Sequence, residues 1–338
     1  MNRLEGYRNF CNKLWNASRY VLMNTENQDC GFAALECGET LSYSLADQWI
    51  RSKLQITIKT FNEQIENYRL DLAANALYDF IWNEFCGWYL ELTKPILLKG
   101  NADDQRAARH TLITTLEIIL RLSHPLIPFI TEAIWRSVKP LIPDLTGDTI
   151  MLQAFPQFDA NRFKPETLAD IEWLKQFITS VRNLRKEYDI PPGRTLNALL
   201  KSSNDQDNDR LNANKTALMF IARLETIELL ATGTEPPVSA TALVGVSELL
   251  IPMAGLIEKS EELARLIKEI QHIRNGIKRV QGKLDNLNFS AKASADVVLN
   301  EKAKLQKFEA TLLKLEEQQK TINALSGDIN GLFPSTFS

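Results

Sequence analysis

LARLIKEIQHIRNGIKRVQGKLDNL, residues 263–287, carries Leu263, Leu266, Ile270, Ile273, Ile277, Val280, Leu284 and Leu287 at alternating steps of three and four. Such heptad spacing keeps one apolar seam on a helix and demands a second helix to cover it. After NFSAKAS the seam resumes at Val298, Leu305, Phe308, Leu312, Leu315 and Ile322, with Glu301 and Gln319 as its polar members. Two helices of about thirty residues, parted by a break of about nine, fold back most simply as an antiparallel hairpin about 45 Å long. Ser294 and Asp296 suit the start of the second helix, where a hydroxyl caps free N–H groups and a carboxylate opposes the dipole.

Charge is unevenly placed on this hairpin. The whole chain of 338 residues has a formal net charge of −3. From Arg265 to Lys307, ten basic residues (Arg265, Lys268, Arg274, Lys278, Arg279, Lys283, Lys292, Lys302, Lys304, Lys307) face four acids (Glu269, Asp285, Asp296, Glu301), a local excess of +6. A basic tip on a protruding arm fits phosphate contact. An ordinary solvated coiled-coil face accounts for the same charges, and charge alone leaves the two readings open.

Upstream, residues 3 to 140 read as a succession of amphipathic helices. Phe10, Leu14, Ala17 and Val21 line one face of the first, and Ala46, Trp49, Ile50, Leu54, Ile58 and Phe61 one face of the second. Leu70 to Leu92 is dense in aromatics on several faces, which places it centrally in a bundle, and Pro95 is expected to close it. A fourth helix, about Asp103 to Leu122, should end where Pro125 pushes His124 out of helical geometry, and Pro128 opens a fifth. Residues 141 to 160 look like a connector. Then come a helix, Leu168 to Tyr188, stopped by DIPPG, a strand from Thr195 to Lys201, a helix from Leu211 to Leu224, and further strands from Ile227 to Ala231 and from Thr241 to Pro252. The expected fold is mainly α: a helical bundle over residues 1–155, a small α/β module over 156–255, a coiled-coil arm over 256–327 and a tail over 328–338.

Catalytic signatures are lacking. No glycine-rich phosphate loop, nucleophile elbow or paired metal motif occurs. The four cysteines form no C-x-x-C pair, which argues against zinc and for reduced, buried thiols. In HPLIPFITEAIW (124–135) a histidine and a glutamate lie close together, but no other titratable group accompanies them. The prolines make this a joint between helices, and Glu132 suits a first turn, where it opposes the dipole. With no signal sequence or long apolar run, a cytoplasmic chain with no membrane partner is expected. A polar stripe on the first helix, Asn9, Asn12, Asn16 and Arg19, with Arg51 and Lys53 on the second, offers donors for bases and phosphates. A solvated surface explains these residues equally well.

GYRNFCNKLWNASRYVLMN (6–24), LADQWI (45–50), FCGWYLELTKP (85–95) and HPLIPFITEAIW resemble the anticodon-binding bundle of class I aminoacyl-tRNA synthetases for aliphatic amino acids, the bacterial valyl type above all. EWLKQFITSVRNLRKEYDIPPG and ELLIPMAGL resemble the small module that follows, and the hairpin resembles that family's C-terminal arm. The isoleucine relatives usually end in a cysteine-ligated zinc module, whereas the final 252 residues here contain no cysteine. The resemblance implies that the bundle, through Asn12, Asn16, Arg19, Arg51 and Lys53, holds the anticodon stem-loop of tRNA(Val). It implies that the arm, through Arg274, Lys278, Arg279, Lys283, Lys292 and Lys302, leans on the tRNA corner. The family's nucleotide-binding domain with HIGH-like and KMSKS-like motifs, and its editing domain, have no counterpart in these residues. Valine activation, with its ATP and Mg, and clearance of mischarged tRNA would belong to those missing N-terminal parts. The chain is expected to be a monomer with no cofactor of its own, to bind tRNA weakly and to form no aminoacyl-adenylate.

Overall fold

In the computed structural model, residues 2–143, 145–202, 204–231, 234–253, 259–285 and 295–324 are described. The fold is mainly α, with one four-stranded mixed sheet. Two compact units divide it, one of residues 1–178 and 209–222, the other of residues 179–208 and 223–338.

In the first unit, α1 (Asn2–Thr25), α3 (Leu45–Glu66), α4 (Leu70–Asp79), α5 (Leu90–Lys99), α6 (Ala102–Ser123) and α7 (Pro128–Val138) form the bundle, with the short α2 (Phe32–Glu36) in the loop after α1. The apolar stripes read from the sequence face inward: Leu14, Val21, Ile50, Phe61, Leu112, Leu116 and Ile119 are wholly buried. Ser44 caps α3 through a reciprocal box with Asp47, and the buried Asp47 carboxylate also accepts the Tyr89 hydroxyl at 2.6 Å. Burial raises the Asp47 pKa despite these bonds.

Between α4 and α5, residues 80–89 form a π-helix. Its i→i+5 bonding keeps residues four and five apart on one side, and Phe80, Ile81, Phe85 and Tyr89 accordingly share the buried face. Pro95 does not close the helical run as expected. The helix continues through it to Lys99, because Leu92, Thr93 and Pro95 itself are buried there and packing outweighs the lost N–H. Gly100 ends it, in extended geometry.

Two further corrections concern the joint between α6 and α7. α6 ends at Ser123, but His124 keeps right-handed helical angles; the chain turns at Ile127, with φ −137 and ψ 62. His124 Nδ1 lies 2.9 Å from the Thr131 hydroxyl, bridging the joint. Glu132 stands beyond the first turn of α7 and does not serve its dipole. Its carboxylate accepts from Thr149 Oγ1 at 2.8 Å and the Ile150 N–H at 3.1 Å, pinning the connector to the bundle. The connector itself is three short 3₁₀ turns, tied back where Gln55 Oε1 accepts the Asp159 N–H at 2.7 Å and Ser52 accepts that of Lys164 at 2.9 Å.

α8 (Glu166–Glu187) begins in the first unit, where Lys175 pairs with Glu84 and lies 4.6 Å from the Trp49 ring. Its end belongs to the second unit and is a left-handed C-cap: Asp189 takes φ 50 and the Ile190 N–H returns to the Arg185 carbonyl at 2.8 Å. The sheet follows, β1 (Leu196–Lys201), β2 (Leu224–Leu229), β3 (Ser239–Val244) and β4 (Ser247–Pro252), in the order β2-β1-β4-β3. β1 and β2 are parallel, joined through α9 (Asp205–Ala222), and the other pairs are antiparallel. The helix expected over Leu211–Leu224 thus starts and stops earlier, and Leu224 opens β2 because its side chain is needed in the sheet core. Arg185 is 9% exposed and donates to the carbonyls of Arg194 and Arg223 at 2.7 and 2.8 Å.

The hairpin is α10 (Lys259–Leu284) and α11 (Ala295–Ala324). The antiparallel register is shown by Arg274 pairing with Glu316 and Lys283 with Glu301, with Gly276 facing the Phe308 ring between them. Leu266, Ile270 and Leu315 form its buried core, with Leu263, Ile273 and Leu312 packed around them. Glu301 is 8% exposed at its seam position, held by Lys304 at 3.0 Å and Lys283 at 3.8 Å. Off the seam, Gln318 is buried as well, because it donates to Glu187 at the end of α8. Leu287, Ser294 and the tail over 328–338 lie outside the described residues.

Candidate nucleic-acid interface

Two surfaces and one cavity carry recognition chemistry. On α1, Asn12, Asn16 and Arg19 are exposed on one side, opposite the buried Leu14 and Val21. Trp15, one turn before Arg19, is 46% exposed beside them; sequence reading passed over it because an aromatic on an amphipathic helix is assigned to the core by default. The flank of the same helix is an aromatic ladder. Phe10 stacks on Tyr78 at 5.2 Å, Tyr78 on Trp82 at 5.6 Å, and the Lys13 ammonium lies 3.8 Å from the Trp82 ring centre.

Arg51 and Lys53 stand apart from this stripe in character. Lys53 is half-buried and pairs with Glu84 at 3.3 Å. The Arg51 guanidinium carbon lies 3.9 Å from the Tyr43 ring centre, and Arg51 lines a cavity of about 350 Å³. Its walls are the Phe32 and Tyr43 rings, with His110, Gln55, Thr115 and, at its exposed edge, Arg162. The loop after α1 builds this wall. Gly31 takes φ +76, and any side chain there would meet Leu41 at 2.8 Å, so glycine alone allows the turn that sets Phe32 against His110, 4.9 Å between rings. His110 Nδ1 lies 3.1 Å from the Cys30 carbonyl, which can only accept, so Nδ1 carries the proton. Burial, aided by Arg51 and Arg162, pushes the His110 pKa down to about 4, leaving Nε2 a free acceptor at neutral pH. Sequence reading gave His110 no role, since the residues that make its surroundings come from α2, α3, α6 and the connector.

On the arm, Lys278, Arg279, Lys302 and Lys307 are exposed and form no ion pair with another described residue. Arg274 is committed to Glu316 at 2.8 Å, and Lys283 and Lys304 converge on Glu301, whose pKa is lowered by the Lys304 hydrogen bond first and then by both charges. Lys292 lies outside the described residues. The cysteines are free, but only Cys30 is buried: Cys11 and Cys86 are half-buried and Cys37 is exposed, which corrects the expectation of four buried thiols. Burial pushes the thiols of Cys30 and Cys86 up to about 11, far from a reactive thiolate. Among the described residues no cluster of three or more His, Cys, Asp or Glu side chains could hold a metal ion, and no helix is long and apolar enough to cross a membrane.

Comparison with known proteins finds two matching families on this chain. Residues 47–200 match the family described as the anticodon-binding domain of tRNA ligase. Residues 260–323 match the family described as the valyl tRNA synthetase tRNA binding arm, which spans α10 and α11 almost end to end. A bundle of the tRNA-ligase type and an arm of the valyl type occur here in order on one chain, and the chain therefore belongs to the valyl-tRNA synthetase family, of which it is the tRNA-binding C-terminal portion.

Proposed function

We propose that this chain grips tRNA(Val) at two places, the anticodon stem-loop on the bundle and the outer corner on the arm, in the service of catalytic and editing domains that lie outside these residues. The observation that carries the reading is the set of exposed cations on the arm, Lys278, Arg279 and Lys302, which no described acid neutralises. Phosphates supply the missing counter-charge. On the bundle, Asn12, Asn16 and Arg19 present amide and guanidinium donors and Trp15 adds a face for stacking, while Arg51, in the cavity, and Lys53, paired with Glu84, complete the set of expected contacts. Family membership makes the chain part of a ligase. Valine, ATP and Mg would be handled by the catalytic portion, and by itself this chain binds RNA without chemistry, in the cytoplasm, as a monomer.

The test is a gel-shift titration with a tRNA(Val) transcript and a copy whose anticodon has been replaced, run beside valine-dependent ATP–pyrophosphate exchange. Salt-sensitive binding, roughly tenfold or more tighter for the valine anticodon, and no exchange are expected. Equal affinity for both transcripts would overturn the assignment of tRNA(Val), and exchange above background would overturn the division of labour.

A further inference from the structure

One residue of the arm breaks the pattern that builds it. Glu301 occupies a seam position of α11, between Val298 and Leu305, where the heptad calls for an apolar side chain. An apolar residue of similar size would pack there without the cost of desolvating a carboxylate. What the acid changes is charge. It draws in Lys304 at 3.0 Å from its own helix and Lys283 at 3.8 Å from α10, so the three groups present +1 where the two lysines alone would present +2. Both lysines remain half or more in water, 51% and 60% exposed, and neither needs the acid to be solvated. The exposed pair of Arg274 and Glu316 opens cheaply, because water takes over both partners. Glu301 differs: its side chain is only 11% exposed, and a polyanion that took both lysines would strip a buried carboxylate of the cations that hold it. The pair sits on the same basic stretch as Lys278, Arg279 and Lys302, which form no ion pair with a described residue.

We propose that Glu301 is an internal counter-ion of the arm, which withholds one cation's worth of charge from a bound polyanion and sets the arm's hold on RNA below what its lysines and arginines could supply. A weaker hold suits a surface that releases its tRNA in every catalytic cycle. The choice of tRNA as the polyanion rests on the proposed function; the withheld charge rests on the arm alone.

Salt titrations of tRNA(Val) binding to the full chain test it through two variants that remove the charge but treat the seam differently. Glu301→Gln keeps a polar group of the same size, and Glu301→Leu completes the apolar seam. Each should steepen the slope of log affinity against log salt by about 0.7–0.9, the share of one more phosphate, and tighten binding severalfold at about 50 mM salt. Glu301→Leu should raise the urea midpoint more than Glu301→Gln. A role confined to packing or register would therefore separate the two variants in their slopes, where the counter-ion role makes them alike. Replacing Lys283 and Lys304 together by Gln should lower the slope by about 0.7–0.9 in the parent and by about twice that beside Glu301→Gln. If Glu301→Gln does not fold, Glu301→Leu carries the same measurements. Unchanged slopes in the Glu301 variants, or an equal loss on removing the lysines in either background, would overturn the counter-ion. A parent chain that binds no tRNA would overturn the proposed function instead. The same variants titrated with inorganic polyphosphate then decide the withheld charge, a steeper slope sustaining it and an unchanged one overturning it.

Discussion

His110 ties stability to pH in a way that a surface histidine does not. Its folded pKa is about 4 against an ordinary 6.5, depressed first by burial and then by Arg51 and Arg162 against the opposing bond to Cys30. Below pH 6.5 the unfolded chain takes up a proton that the folded chain refuses until about pH 4. The folded state is therefore fully favoured above pH 6.5 and loses ground as pH falls through that window. The loss should approach about 2 kcal/mol between pH 7 and pH 5, before most carboxylates titrate. Urea midpoints at pH 7, 6 and 5 measure it. His110→Asn keeps a donor for the Cys30 carbonyl but cannot titrate, and its midpoint should lose this slope; an equal slope in the variant would place the proton elsewhere.

Elements differ in how openly the sequence announces them. The stripes of α1, α3 and α6 and the seam of α10 were legible because burial repeats with the helical period: Leu14, Ile50, Leu112 and Leu266 are all fully buried. The π-helix was not, since Phe80 to Tyr89 is apolar on too many sides for periodicity to choose a winding. Pro95 misled because burial of its neighbours is a property of the assembled bundle. The cavity was hidden for the same reason, as Phe32, Arg51, His110 and Arg162 come together only in the fold. α10 also contains Gly276 in its interior and Gly282 in its last turn, and their costs can be separated. A methyl on Gly282 would meet nothing within 4 Å, and on Gly276 it would make ordinary contact with the Phe308 ring at 3.5 Å. Neither glycine is required by backbone or space, so each weakens the helix. Gly276→Ala should stabilise the chain by about 0.5–1 kcal/mol and Gly282→Ala, in the last turn, by less, each read as a shift in urea midpoint at constant slope. Destabilisation by Gly276→Ala would show that the two helices approach more closely than the Phe308 contact indicates.

Across the whole molecule, a chain of net charge −3 must bind a polyanion through local excess. Each cation that displaces counterions from phosphate contributes about 0.7–0.9 to the slope of log affinity against log salt. The arm's cations are not equivalent in this respect. Lys278 and Arg279 are exposed with no ion pair to a described residue, whereas Arg274 already has Glu316 at 2.8 Å and Lys283 shares Glu301 with Lys304. A cation with an acid beside it brings little net charge to a phosphate, and breaking the pair to reach one costs what the pair was worth, at this exposed site under about 1 kcal/mol. Neutralising Lys278→Gln or Arg279→Gln should each reduce the salt slope of tRNA binding by about 0.7–0.9, and together by roughly twice that. Arg274→Gln should reduce it by clearly less, because the variant leaves Glu316 uncompensated but removes no free cation. Filter-binding titrations from about 50 to about 200 mM salt resolve the difference. Equal slopes for all three variants would mean that the Arg274 pair opens on binding and that the whole basic half of the arm, not its unpaired members, lies on the RNA.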